Sequence, residues 1–161
     1  MVEHARRLLG GRALVQVADL NDPFPSIDST SIDLVAASLV LHYLRDWQCV
    51  ISEVRRVLKP GGALVLSVHH PITGWARSDR RDYHRIELIE ERWNLSGIET
   101  TARMWRRPVS AIFTPLLQTG LVVDAVHEPE PDFDAQAMPD EETRRALNTS
   151  PVFLYVRALR P

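Results

Sequence analysis

Residues Ser31 to Pro71, SIDLVAASLVLHYLRDWQCVISEVRRVLKPGGALVLSVHHP, decide the fold. Ile32 to Leu41 is an almost unbroken apolar run with little alternation, the pattern of a strand buried on both faces by helices. Asp46 is placed to cap a helix whose apolar residues are Trp47, Val50, Ile51, Val54, Val57 and Leu58. Their spacing of three and four puts them on one stripe, with Arg45, Gln48, Glu53, Arg55 and Arg56 mostly off it. Lys59-Pro60-Gly61-Gly62 ends that helix, because proline cannot continue it and glycine allows the positive φ of a tight exit. Ala63 to Val68 is then a second buried strand. Strand, helix and strand joined this closely predict a right-handed crossover between parallel neighbours. Ligands in such sheets bind beyond the carboxyl ends of the strands, which here carry Ser38 to Tyr43 and His69-His70-Pro71.

The rest of the composition narrows the class. The chain has 161 residues, and its 19 basic and 21 acidic side chains give a net charge of −2. That balance offers no electrostatic footing for nucleic acid or an anionic membrane. Cys49 is the only cysteine, so a disulfide framework and a CxxC metal site are both excluded. No apolar run reaches the length of a membrane span, and the N-terminus lacks the apolar core of a signal peptide. The expectation is a cytoplasmic α/β protein, one domain over residues 1–161.

Outside the central stretch, Met1 to Leu9 predicts a helix stopped by Gly10-Gly11, and Ala13 to Ala18 predicts a strand ending at Asp19-Leu20. Asn21 to Pro25 is rich in turn formers. Thr73 to Tyr83 predicts a long irregular loop carrying Trp75 and Tyr83. Thr100 to Trp105 predicts a strand, and Val109 to Thr119 a helix ended by Gly120 and bent at Pro115. Leu121 to His127 and Val152 to Leu159 predict strands. Asp140 to Leu147 predicts a short, exposed helix with acids leading and arginines following.

Several of these segments together resemble the class I S-adenosylmethionine-dependent methyltransferases, in the small-molecule branch related to ubiquinone-biosynthesis enzymes. The matching text is VADLNDPFP at Val17 to Pro25, SIDLVAASLVLHYLRDW, SEVRRVLKPGGALVLSV at Ser52 to Val68, then QTGLVVDAV and the terminal SPVFLYVRA. The resemblance implies a Rossmann-like α/β sheet, mostly parallel with an antiparallel C-terminal strand. S-adenosyl-L-methionine is the implied cofactor, and a small organic molecule the implied methyl acceptor.

One part of that pattern is missing. The family opens with a strand, a glycine-rich turn, a helix and a second strand ending in an acidic residue; the glycines admit the cofactor and the acid binds its ribose. No such segment precedes Met1, so the expectation is an N-terminally truncated fold without the first two strands and first helix, a fragment of a longer protein. The resemblance places those strands in the middle of the sheet, which predicts an unpaired edge. Direct pairing of the two remaining strands, or a homodimer through the open edge, would be the alternatives to a fragment.

Site residues follow from the resemblance. Asp19 would hydrogen-bond the adenine amino group and Leu20 would cover it, the plainer reading being a turn-forming aspartate. Ser38 and Leu39 would pass beneath the methionine portion of the cofactor. His42 and His70 are candidates for a general base, since an unperturbed imidazole titrates near neutrality. Many methyl transfers need only alignment, however, because the sulfonium is already an activated donor. His69, Trp75, Tyr83 and Trp105 are candidates for the acceptor pocket. No metal is expected, because the histidines lack nearby carboxylates at ligand spacing. Arg106 and Arg107 read as solvated surface, with pairing to an acidic substrate group as the alternative. The functional expectation is methyl transfer to a small acceptor; the alternative is a catalytically inactive, methyltransferase-like interaction domain.

Overall fold

The computed structural model describes residues 2–79, 82–95, 97–130 and 141–161. Helix α1 (Val2–Leu9) stops at Gly10 and Gly11, both at positive φ, and carries no buried residue. Strand β1 (Ile32–Ser38), helix α2 (Gln48–Val57) and strand β2 (Leu58–His69) form the expected crossover. β1 and β2 run parallel, with Ala36 opposite Val65 and Ser38 opposite Ser67. The N-cap position of α2 is Trp47 rather than the expected Asp46, which lies one residue before it and accepts the Gln48 N–H through Oδ1 at 2.8 Å. The stripe Trp47, Val50, Ile51, Val54, Val57 and Leu58 is buried, as its spacing requires.

The chain continues through α3 (Pro71–Arg77), β3 (Glu87–Leu95), β4 (Ile98–Arg106), α4 (Ser110–Gln118), β5 (Val122–His127), α5 (Glu141–Thr149) and β6 (Phe153–Leu159). The main sheet has the order β1-β2-β6-β5, while β3 and β4 form a separate hairpin turned at Gly97. β6 is antiparallel to both of its neighbours, so β1, β2 and β5 point one way and the last strand alone points back. The core lies where Leu64, Leu66 and Val68 of β2 and Leu154, Val156 and Ala158 of β6 meet α2 and Ile112 and Leu116 of α4. Arg160 stitches the end of β6 to the end of α2. Its Nη1 donates to the carbonyls of Arg55 at 3.1 Å, Arg56 at 3.3 Å and Leu58, groups that a helix terminus leaves without partners.

Four further local expectations are corrected. Ala13 to Ala18 forms no strand: Leu14 and Val17 stand about four-fifths exposed, and the segment joins no ladder. Apolar residues become a strand only when a neighbouring backbone completes their hydrogen bonds, and β1 does not pair with them. β1 itself, expected to be covered on both faces, is a sheet edge with Leu34 58% exposed. β2 begins at Leu58 rather than Ala63, taking Lys59 to Gly62 into the strand with a register shift opposite Ile32–Leu34. The start of the expected loop at Thr73 to Tyr83 is instead α3. Pro71 occupies its first turn, and the His70 ring accepts the Ile72 N–H at 3.2 Å, a cap that a histidine does not advertise in sequence.

Candidate functional site

The site begins at the carboxyl tips of β1 and β2. Leu39 follows β1 at φ +48°, an unusual conformation for leucine. It is held there by its N–H, which donates to the Ser67 carbonyl at 3.1 Å and to Ser67 Oγ at 3.2 Å. Ser67 Oγ also meets Ser38 Oγ at 3.4 Å. This bend feeds a short 3-10 turn, Leu41–Tyr43, that buries His42 at 5% exposure. The His42 ring lies 4.9 Å from that of His69 at the tip of β2, and His69 in turn packs 5.7 Å from Phe153 and 6.4 Å from Trp93.

The β3–β4 hairpin folds over these tips and encloses a cavity of about 200 Å³. Ile89 and Trp93 of β3, Met104 and Trp105 of β4, Ile112 of α4 and Trp47 form its apolar wall. His42, His69, His70, Glu91, Arg106 and Arg107 supply its polar groups. Among the described residues, no group of three His, Cys, Asp or Glu side chains converges as a metal site would need.

The two histidines named as bases differ in what occupies their nitrogens. His70 Nδ1 accepts from Ile72 N–H, so its proton sits on Nε2 and is donated to Glu128 Oε1 at 2.6 Å. Both nitrogens are thereby committed to holding α3 and β5 together, and the expectation of His70 as a base does not fit this geometry. His42 is the reverse case: neither nitrogen has a partner among the described residues. Burial, then the nearby His69 and Arg107, push its pKa down to about 4, so it is neutral at physiological pH.

Arg106 and Arg107 correct the surface reading, being 5% and 6% exposed. Arg106 spends its charge on Glu87 Oε1, at 2.9 Å from Nε and 2.5 Å from Nη2, and also donates to the carbonyls of Asp82 and Tyr83. Arg107 lies over the Trp47 ring at 4.3 Å and donates from Nη2 to the Leu44 carbonyl. Burial lowers its pKa to about 10, which leaves it charged.

The other sequence candidates lie off this cavity. Asp19 does not end a strand: it sits in an exposed turn where Oδ1 accepts the Asn21 N–H at 2.9 Å and Asn21 Nδ2 at 2.8 Å. Those bonds hold its pKa below the usual carboxylate value, so it is ionised. Leu20 is half-buried against the core. Trp75 and Tyr83 pack edge to face at 6.1 Å behind the wall, and Tyr83 Oη accepts the Val109 N–H. Of the candidate residues, His42, His69, His70 and Trp105 converge on the cavity. Trp47, Trp93 and Met104 went unnoticed as site residues, and Arg107, read as surface with pairing to an acidic group as the alternative, joins them in the wall.

Residues 1–66 match the family described as Methyltransferase domain. The crystal structure of an S-adenosylmethionine-dependent methyltransferase from Mesorhizobium loti superposes with a TM-score of 0.66 at 26% identity, covering 98% of this chain and 75% of that one. The chain has the class I S-adenosylmethionine-dependent methyltransferase fold. Within that fold family, the human thiol S-methyltransferase TMT1A is 30% identical over 88 residues, 53% of this chain and 34% of that protein. A polyketide synthase-nonribosomal peptide synthetase of Aspergillus clavatus is 58% identical over 91 residues, 44% of this chain but 2% of that protein. The chain therefore spans about a third or less of the length of these relatives. Among the described residues, no helix of this methyltransferase fold is long and apolar enough to cross a membrane.

Proposed function

We propose that this chain is the acceptor-binding part, with one side of the cofactor site, of an enzyme that methylates a small organic molecule. The observation that carries this reading is the cavity at the tip of β2, closed by the hairpin and holding the unpartnered His42. The acceptor would displace solvent from this wall and lie against Trp93 and Trp105, its reacting O, N or C atom directed toward the tip of β1. Enclosure of this kind supplies the alignment on which methyl transfer chiefly depends. His42, neutral and desolvated, offers one donor and one acceptor, and orients a hydroxyl, thiol or amine of the acceptor or takes its proton.

The residues at the tip of β1 and after α1 fit S-adenosylmethionine in chemistry. Asp19 is an exposed, ionised carboxylate suited to an adenine amino group, with Leu20 beside it as apolar cover. Ser38 and Leu39 present an exposed hydroxyl and a fixed backbone bend. When bound, the cofactor supplies a methyl group on a positively charged sulfur. Titration calorimetry with S-adenosylhomocysteine tests this reading: heat that is lost in Asp19→Ala supports it, and no heat at millimolar ligand overturns it. The single cysteine, Cys49, exposed and free, supports a reducing cytoplasmic location.

A second reading is favoured by the edge of β1. There Leu34 exposes apolar surface beside unpaired backbone, which suits a non-catalytic domain pairing with a second copy or another strand. Light scattering separates the two: a monomer across the micromolar range, together with cofactor heat, removes the interaction-domain reading.

A further inference from the structure

This inference rests on the acceptor role given to the cavity above and names the class of molecule it takes. Among the described residues, two side chains of its wall are more than nine-tenths buried yet keep polar atoms without partners: His42 through both ring nitrogens and Arg107 through Nε. The contacts of Arg107, the Trp47 face and the Leu44 carbonyl, do not neutralise it, and Asp46 acts on it without forming an ion pair. Its neighbour Arg106 is matched by Glu87, and the wall carboxylate Glu91 is engaged by Trp93 Nε1 at 3.1 Å. A buried guanidinium with an open donor is costly to keep unless something anionic meets it. The rest of the wall is aromatic and aliphatic, and its volume of about 200 Å³ exceeds the roughly 150 Å³ in which an apolar cavity binds benzene.

We infer that the cavity takes a compact, single-ring acceptor bearing an anionic oxygen group, with Arg107 as the counter-ion and His42 hydrogen-bonded beside it. Bonds between a guanidinium and a carboxylate are about twice as strong as neutral ones, and the ring gains the indole faces of the hairpin.

Trp47, Trp93 and Trp105 line the cavity, so intrinsic fluorescence excited at the red edge of the indole band reads it directly. Benzoate and its near-isostere benzamide are the probes, titrated without cofactor. The expected result is saturable quenching by benzoate with a Kd at least tenfold below that of benzamide. In Arg107→Gln the benzoate affinity falls to that of benzamide. Arg107→Lys, which keeps the charge but not the planar fork, retains part of the preference and decides the matter if the glutamine variant fails to fold. Equal affinities in the wild-type chain, or silence from both probes, overturns the inference. Failure of the S-adenosylhomocysteine titration alone bears on the cofactor reading and leaves this preference measurable.

Discussion

His70 and Glu128, 58 positions apart, meet through Nε2 and Oε1 at 2.6 Å, and the same imidazole caps α3 through Nδ1. One side chain thus joins the tip of β2, the start of α3 and the end of β5. His70→Ala removes both bonds, and losing a helix cap alone costs about 1 kcal/mol. The expected loss exceeds that of Glu128→Gln, which keeps the cap. Urea unfolding followed by tryptophan emission compares them; equal losses would show that the cap contributes nothing.

His42 makes a pH dependence. Its folded-state pKa is about 4, whereas an unfolded imidazole titrates near 6.5. Between those values the unfolded chain binds the extra proton, so stability is fully present above about pH 6.5 and declines as pH falls through the window. His42→Phe abolishes that slope and, by removing an unpartnered buried polar group, stabilises the chain at neutral pH by about 1–3 kcal/mol. Glu53 and Asp124, whose carboxyls are held low by Arg56 and Arg157, erode stability at lower pH in both proteins. The quantity to follow is therefore the difference between the two unfolding curves from pH 7 to pH 4.5; a constant difference contradicts the assignment.

Arg106 holds the hairpin in register with the segment before it. Its side chain is 2% exposed and that of Glu87 33%, so Glu87→Ala strands a buried charge. Fully buried pairs lose 3–5 kcal/mol when one partner goes, and the partial exposure of Glu87 brings the expected loss to about 2 kcal/mol. Thermal unfolding measures this, and the benzamide response of the cavity should weaken together with the hairpin. A loss under about half a kcal/mol would reduce the pair to an exposed contact.

Gly62 permits the close crossing of β2 over the start of β1. A Cβ there would stand 2.9 Å from the Lys59 carbonyl oxygen and 3.1 Å from that of Asp33, both backbone atoms that cannot step aside. Gly62→Ala is expected to cost about 1–3 kcal/mol, as overpacking does. Gly61, at φ +79° with open space around it, also resists alanine, but through backbone strain alone. Denaturation midpoints for the two variants check both; a neutral Gly62→Ala would mean the strands can part at that point.

What could be read in the sequence was what neighbouring residues decide among themselves. The stripe from Trp47 to Leu58 is buried as its periodicity requires, and the strands expected at Leu121 to His127 and Val152 to Leu159 stand at Val122–His127 and Phe153–Leu159. Ala13 to Ala18 failed because a strand also needs a partner, and its apolar residues carry no information about whether one is there. The site divided along the same line. His42, His69 and Trp105 follow strand or hairpin elements that point at the cavity, whereas Arg107 looked like half of a surface pair until β4 carried it under Trp47. Burial of a long cation depends on what closes over it, and that is a long-range property.

The place of β6 in the sheet has a consequence for assembly. It follows β5 in sequence yet lies between β2 and β5, and Arg160 just beyond it finishes the end of α2. The crossover and β5 share no ladder of their own, so β6 alone joins them into one sheet. Closure of the sheet thus depends on contacts between segments far apart in the chain, and a β2 without its β6 neighbour is an edge open to misassembly.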